Sequence, residues 1–131
     1  MKVRNPRTGE QDYEITPMEA ADVAATAARL RANQPRWAAL PIAERCAIML
    51  RWADAIEKHA GAIMEQLTID TGRAGIAAIE VGGVPGTIRR WASQAAGIID
   101  RHSPSNVQSS NPTITNSTRL VPFPLFGAIA P

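Results

Sequence analysis

Between residues 41 and 60 the apolar side chains recur at Ile42, Cys46, Met49, Ala53, Ile56 and Ala60, in alternating steps of four and three. That spacing is one face of an α-helix sustained for roughly five turns. Glu44, Arg45, Arg51, Asp54, Glu57 and Lys58 fall around the rest of the helix and are assigned to its water-facing side. Pro41 suits the first helical position, where a missing N–H costs nothing. Leu50 and Trp52 are expected to widen the stripe and to be buried with it. Each large side chain taken out of water contributes about 1.5–3 kcal/mol, so the stripe cannot stay bare. The flanking segments are therefore read as its covering.

Ahead of this helix, Asn5-Pro6-Arg7-Thr8-Gly9 is turn chemistry, with Pro fixing φ and Gly admitting positive φ. Val3-Arg4 before it and Tyr13-Glu14-Ile15 after it predict a small β-hairpin. Thr16-Pro17-Met18-Glu19 has the pattern of a capping box, which opens a helix running to about Asn33 and stopped by Gln34-Pro35. Trp37 and Leu40 are placed in the following loop, plugging the gap to the central helix. A third helix spans about 61–69 and ends at Asp70-Thr71-Gly72-Arg73, with Gly72 in the left-handed position past the helix end. A fourth covers 74–99, and Val81-Gly82-Gly83-Val84-Pro85-Gly86 is expected to kink or interrupt it. From 101 to 111 the chain reads as polar loop. Residues 113–115 and 118–121 alternate well enough for one or two strands.

The remaining features exclude more than they assign. A length of 131 residues fits one domain, and 45% apolar with 20% charged residues is an ordinary globular balance. A net charge of +2 with scattered arginines gives no nucleic-acid footprint. No stretch approaches the ~20 apolar residues of a membrane span. Met1-Lys2-Val3-Arg4 leads into Asn5-Pro6 with no apolar core of a signal peptide, and a lone Cys46 fits a reducing compartment, so a cytoplasmic location is expected. Cys46 lies on the apolar stripe and is read as a small hydrophobe rather than a nucleophile. His59 is read as an exposed residue near a helix end, and His102 has no identifiable partner. The glycine cluster lacks the spacings of a phosphate loop. The last ten residues are almost wholly apolar, which predicts an uncovered edge and a chain that continues further.

Three landmarks stand in order along the chain. Asn5-Pro6-Arg7-Thr8-Gly9-Glu10 comes first, then Trp37 through Ala43-Glu44-Arg45 to Asp70-Thr71-Gly72-Arg73, and then Glu80-Val81 with the terminal Gly127-Ala128-Ile129-Ala130-Pro131. Together they resemble the N-terminal portion of the NAD(P)-dependent aldehyde dehydrogenase superfamily, over essentially the whole chain. The fold this implies is an α-rich fragment of an α/β protein, part of a cofactor-binding domain. It would comprise an N-terminal hairpin (1–16), a region of about four helices (17–99), and a loop with a C-terminal strand pair (100–131). That last part would serve as an oligomerisation arm and first core strand.

The resemblance implies a parent enzyme in which a cysteine thiolate attacks an aldehyde, hydride passes to NAD or NADP, and water releases a carboxylic acid. The family's catalytic Cys and general-base Glu lie in later segments, and its oxyanion Asn follows in Trp-Asn-Phe-Pro. Cys46, Glu44 and Glu80 match none of them, so no catalytic residue is assigned and this chain alone is expected to be inactive and to hold no cofactor tightly. Ile129, Ala130 and Pro131 correspond to the stretch beside the nicotinamide-side ribose, with an ordinary buried strand as the other reading. Gly83, Thr87 and Trp91, four apart, match the face lining the family's aldehyde tunnel. The family's monovalent-cation position would fall beside Asp70, but no metal site is assigned. Residues 113–120 match the subunit-pairing arm, so the expected partners are the remainder of the chain, an aldehyde, and further copies in a homo-oligomeric parent. The competing reading is a non-catalytic helical interaction module that binds a partner or itself. Exposed apolar surface, dye binding and self-association are expected of the isolated chain.

Overall fold

A computed structural model describes residues 1–128. Within them the order is β1 (Lys2–Arg4), β2 (Gln11–Glu14), α1 (Ala20–Ala38), α2 (Ile42–Lys58), α3 (Ala60–Thr71), α4 (Ala74–His102), β3 (Val107–Gln108) and β4 (Thr115–Asn116). β1 and β2 form an antiparallel hairpin with Val3 opposite Tyr13, and β3 and β4 form a second with Val107 opposite Asn116. The expected hairpin, four helices and C-terminal strand pair are all present.

The central helix packs chiefly along α4, and α3 packs on α4 as well. The central helix stops at Lys58, short of the predicted Ala60, which opens α3; of the stripe on α2, Ala53 is fully buried, while Ile42, Cys46, Met49 and Ile56 are half-buried. On the facing helix Ala77, Val81 and Pro85 are enclosed, again four apart, so one row of α4 meets the stripe of α2. The seam is built from small side chains, which lets the helices approach closely but buries little area. α1 does not supply the cover expected of it. It has no buried residue, and Val23 and Leu30 are 54% and 49% exposed.

Several local expectations fail for identifiable reasons. The capping box does not form: no side chain caps α1, and Glu19 (ψ 155°) is its extended N-cap residue. Pro17 biases Thr16 away from helix, residues 16–19 form no helix, and Glu19's carbonyl accepts from Asp22 and Val23 at 3.0 and 3.1 Å. Pro35 does not stop α1. The turn beyond it closes on Pro35's own carbonyl, which accepts from Ala39 at 3.0 Å, so Trp37 is helical rather than in a loop. Pro41 is the N-cap of α2 rather than its first helical residue.

The predicted break in α4 is also absent: Ala74–His102 is one helix through Val81 to Gly86. Pro85 is the largest side chain less than 2% exposed, and burial of its ring against the bundle offsets the hydrogen bond it cannot donate. Leu50 and Trp52, expected in the core, are 38% and 53% exposed, because they lie off the side of α2 that meets α4. Near the end, β4 pairs with Val107–Gln108, inside the stretch read as loop, and no strand forms over 118–121. Instead the Thr118 N–H donates to the Pro104 carbonyl at 2.8 Å and the Leu120 N–H to Ser103 Oγ at 3.2 Å.

Candidate functional site

The closed part of the α2–α4 seam ends at Ala53 and Pro85. Toward the start of α2 the two helices enclose a cleft of about 340 Å³ instead. Ile42, Cys46 and Met49 of α2 form one wall, Thr87 and Trp91 of α4 the other, and Trp37 from the last turn of α1 sits at the rim. The helical repeat explains the pairing, since Thr87 and Trp91 follow one row of α4 and Ile42, Cys46 and Met49 one row of α2. Trp91 is 62% exposed, so the cleft is open.

Of the three residues matched to an aldehyde tunnel, Thr87 and Trp91 thus lie together. Gly83 lies one turn earlier on α4 and does not line the cleft; a Cβ added there would meet nothing within 4 Å. Ile129, Ala130 and Pro131 lie outside the described residues.

The chemistry available in the cleft is narrow. Cys46 is half-buried and free, and no carboxylate or imidazole lines the cleft to take its proton. That leaves the thiol without the base an activated nucleophile needs. The glycines of 82–86 are inside α4, where backbone N–H groups point along the helix to carbonyls of the preceding turn, so they cannot cradle phosphate. With largely apolar walls and Arg45 as its one charged side chain, this cleft does not fit a dinucleotide. Among the described residues there is also no cluster of three or more His, Cys, Asp or Glu side chains that could hold a metal. Asp70 is already engaged: its Oδ1 accepts from the Tyr13 hydroxyl at 2.8 Å and from Gln66 Nε2 at 2.9 Å.

That bond ties the first hairpin to the end of α3. The Asp70 carboxylate favours the neutral, donating phenol, and holds the Tyr13 ionisation above its ordinary value. Gly72 beside it has φ +69°, and a Cβ there would stand 3.1 Å from Arg7 Cγ and 3.3 Å from Pro6 Cγ. Across the α2–α4 interface, Arg89 of α4 donates to Glu57 of α2 through both terminal guanidinium nitrogens, at 2.6 and 2.9 Å, and to Asp54 at 2.6 Å. The Glu57 hydrogen bond, first among several causes, pushes its pKa further up, so it brackets the two helices as a permanent cation.

Arg45 is the residue that sequence reasoning misplaced. Assigned to the water-facing side, it is half-buried, and its Nε is enclosed with no hydrogen-bond partner. It lines the α2–α4 cleft and two others, one of about 480 Å³ with Gln34 and Arg119 and one of about 380 Å³ with Ile99 and Leu120. The signal was there: Arg45 is three residues after Ile42 and four before Met49, which puts it on the stripe itself.

Comparison with known proteins gives this geometry a family. The aldehyde dehydrogenase family model matches residues 1–131. A Mycolicibacterium smegmatis protein provisionally named succinate-semialdehyde dehydrogenase (NADP+) is 34% identical over 126 residues, covering 95% of this chain. The mitochondrial benzaldehyde dehydrogenase of Antirrhinum majus is 30% identical over 92% of it. The chain spans 24% of the length of each of these relatives. Among solved structures, an Anabaena variabilis protein, PutA, provisionally named aldehyde dehydrogenase, superposes with a TM-score of 0.78 at 32% identity. That match covers 86% of this chain and 23% of the other. Helices, hairpin and strand pair therefore follow an aldehyde dehydrogenase, and the chain belongs to the aldehyde dehydrogenase family.

Proposed function

We propose that these 131 residues form the N-terminal portion of an aldehyde dehydrogenase whose full-length form oxidises an aldehyde to a carboxylic acid with NAD or NADP. One observation carries the reading: the family match runs through the whole chain, while the chain spans only 24% of its relatives' length. The exposed apolar surface supports it. Ile79, Val121, Phe123 and Phe126 are between 71% and 86% exposed, far more than a self-sufficient domain leaves around so small a core.

In this proposal residues 1–16 and 17–99 are scaffold, and 100–131 supply the subunit-pairing arm and the first strand of the cofactor domain. The parent is a cytoplasmic homo-oligomer. Gly83, Thr87 and Trp91 contribute to the aldehyde's path. Gly83 leaves bare helix backbone there, and Thr87 with Trp91 give it one polar and one aromatic surface. Ile129, Ala130 and Pro131 run beside the cofactor, whose other contacts come from residues beyond this chain. The described residues supply walls and orientation, while proton transfer and nucleophilic attack belong to the remainder. The chain by itself is therefore inactive.

The test joins residues 1–131 to the part of the M. smegmatis relative that follows its matched segment. The joined chain should reduce NAD(P) in the presence of an aldehyde, and the isolated chain should not. Robust aldehyde-dependent NAD(P)H production by the isolated chain would refute the proposal. So would a joined chain that folds, binds NAD(P) and still turns over no aldehyde. A free-standing interaction module is the competing reading; an isolated chain that is monodisperse and captures no hydrophobic dye would favour it.

A further inference from the structure

We propose that Arg45 is an anchor for a carboxylate carried on an otherwise aliphatic segment of the full-length dehydrogenase, beyond residue 131, which fills the clefts bounded by α1, α2, the end of α4 and residues 119–124. The inference rests on the reading of this chain as part of a longer enzyme. Arg45 is half-buried and its Nε is enclosed without an acceptor among the described residues, and an enclosed N–H left unpaired costs free energy that an incoming acceptor would recover. Three clefts meet at this side chain, and the two that reach residues 119–124 have Ala38, Ile99, Leu120 and Val121 among their walls, with Gln34 in the larger. Arg119 shares the largest of them, and no Asp or Glu lines any of the three. Two cations, Arg45 half-buried and Arg119 exposed, with no anion beside them call for a carboxylate, whose paired oxygens match the guanidinium fork. The span of the clefts favours a chain segment over a small free anion. The relatives' greater length provides such a segment, since this chain covers 24% of them.

The test compares Arg45→Met and Arg45→Lys in two settings, the isolated 131-residue chain and the chain joined to the M. smegmatis remainder. In the joined chain, about four times longer, Arg45→Met removes one partner of an enclosed pair and should lower the melting temperature by roughly 3–5 °C. Arg45→Lys keeps the charge but not the fork, and should recover part of that loss. In the isolated chain Arg45→Met should leave the melting temperature unchanged or raise it, because no partner is lost. An unchanged joined chain, or equal losses in both settings, overturns the inference and leaves the family reading intact. If the wild-type joined chain shows no cooperative transition and no dehydrogenase activity, both fall. A second copy as occupant would appear as an isolated-chain dimer that Arg45→Met dissolves, and this too overturns the proposal.

Discussion

Two extended segments flank the helices, and they end very differently. The first hairpin is bound back onto the molecule. Its Tyr13 hydroxyl reaches Asp70, Pro6 and Arg7 close over Gly72, and the Gly9 N–H bonds the Asn5 carbonyl at 2.9 Å inside its own turn. The segment from 119 to 128 lies in no strand, with Val121, Phe123 and Phe126 71%, 86% and 83% exposed. The first segment is polar and finds its partners within the chain. The second carries the apolar side chains that need burial most and finds little. Local polar bonding can thus complete one end of this module, whereas the apolar side chains of the other stay uncovered among the described residues.

Gly72→Val should break the contrast from the closed side. It forces a β-branched residue to φ +69° and drives a Cβ into Pro6 and Arg7, so a loss of about 1–3 kcal/mol is expected in urea denaturation. Hairpin amides should lose exchange protection in the same variant. Tyr13→Phe removes only the bond to Asp70 and should cost less, with the hairpin freed while the helices keep their circular dichroism signal.

A pH titration sharpens the same point. The folded-state ionisation of Tyr13 lies above the ordinary 10.0, so its contribution is complete below that pH and is lost as pH rises through the raised value. Because the chain has a single tyrosine, tyrosinate absorbance of folded against urea-unfolded protein reads the shift directly. An unfolded chain that ionises at the same pH would remove the Asp70 bond from the account.

The smallest stability change belongs to the open side. Phe123→Ser with Phe126→Ser should alter unfolding free energy by no more than about 0.5 kcal/mol, while fluorescence of a hydrophobic dye falls clearly. A large loss of stability would mean that the two phenyl groups are packed in solution.

What was legible in the sequence is what depends on near neighbours. The α2 stripe from Ile42 to Ile56, the turn between β1 and β2, and the left-handed Gly72 all follow from periodicity or from φ preferences and are present, whereas Ala60, expected on the same stripe, already belongs to α3 because α2 ends at Lys58. Errors collect where a distant partner decides. Pro85 reads as a helix breaker until burial of its ring against the bundle is counted, and the Thr16–Glu19 pattern reads as a cap although residues 16–19 form no helix. Trp52 and Arg45 exchange their expected places, because a stripe tells which side of a helix is apolar and not which part of that side another helix will meet. For the candidate site, Thr87 and Trp91 came together as their spacing implies. The cleft they share with Cys46 required knowing that α4, and not α1, covers α2.

Ala53 and Ala77 are sealed in a seam that Val81 and Pro85 complete, and Arg89 closes across it onto Glu57 and Asp54, so α2 and α4 behave like a key in its slot with a latch over it. Sequence drift at those two alanines should accordingly be narrow. Exposed positions such as Trp52 can wander until something from outside settles against them.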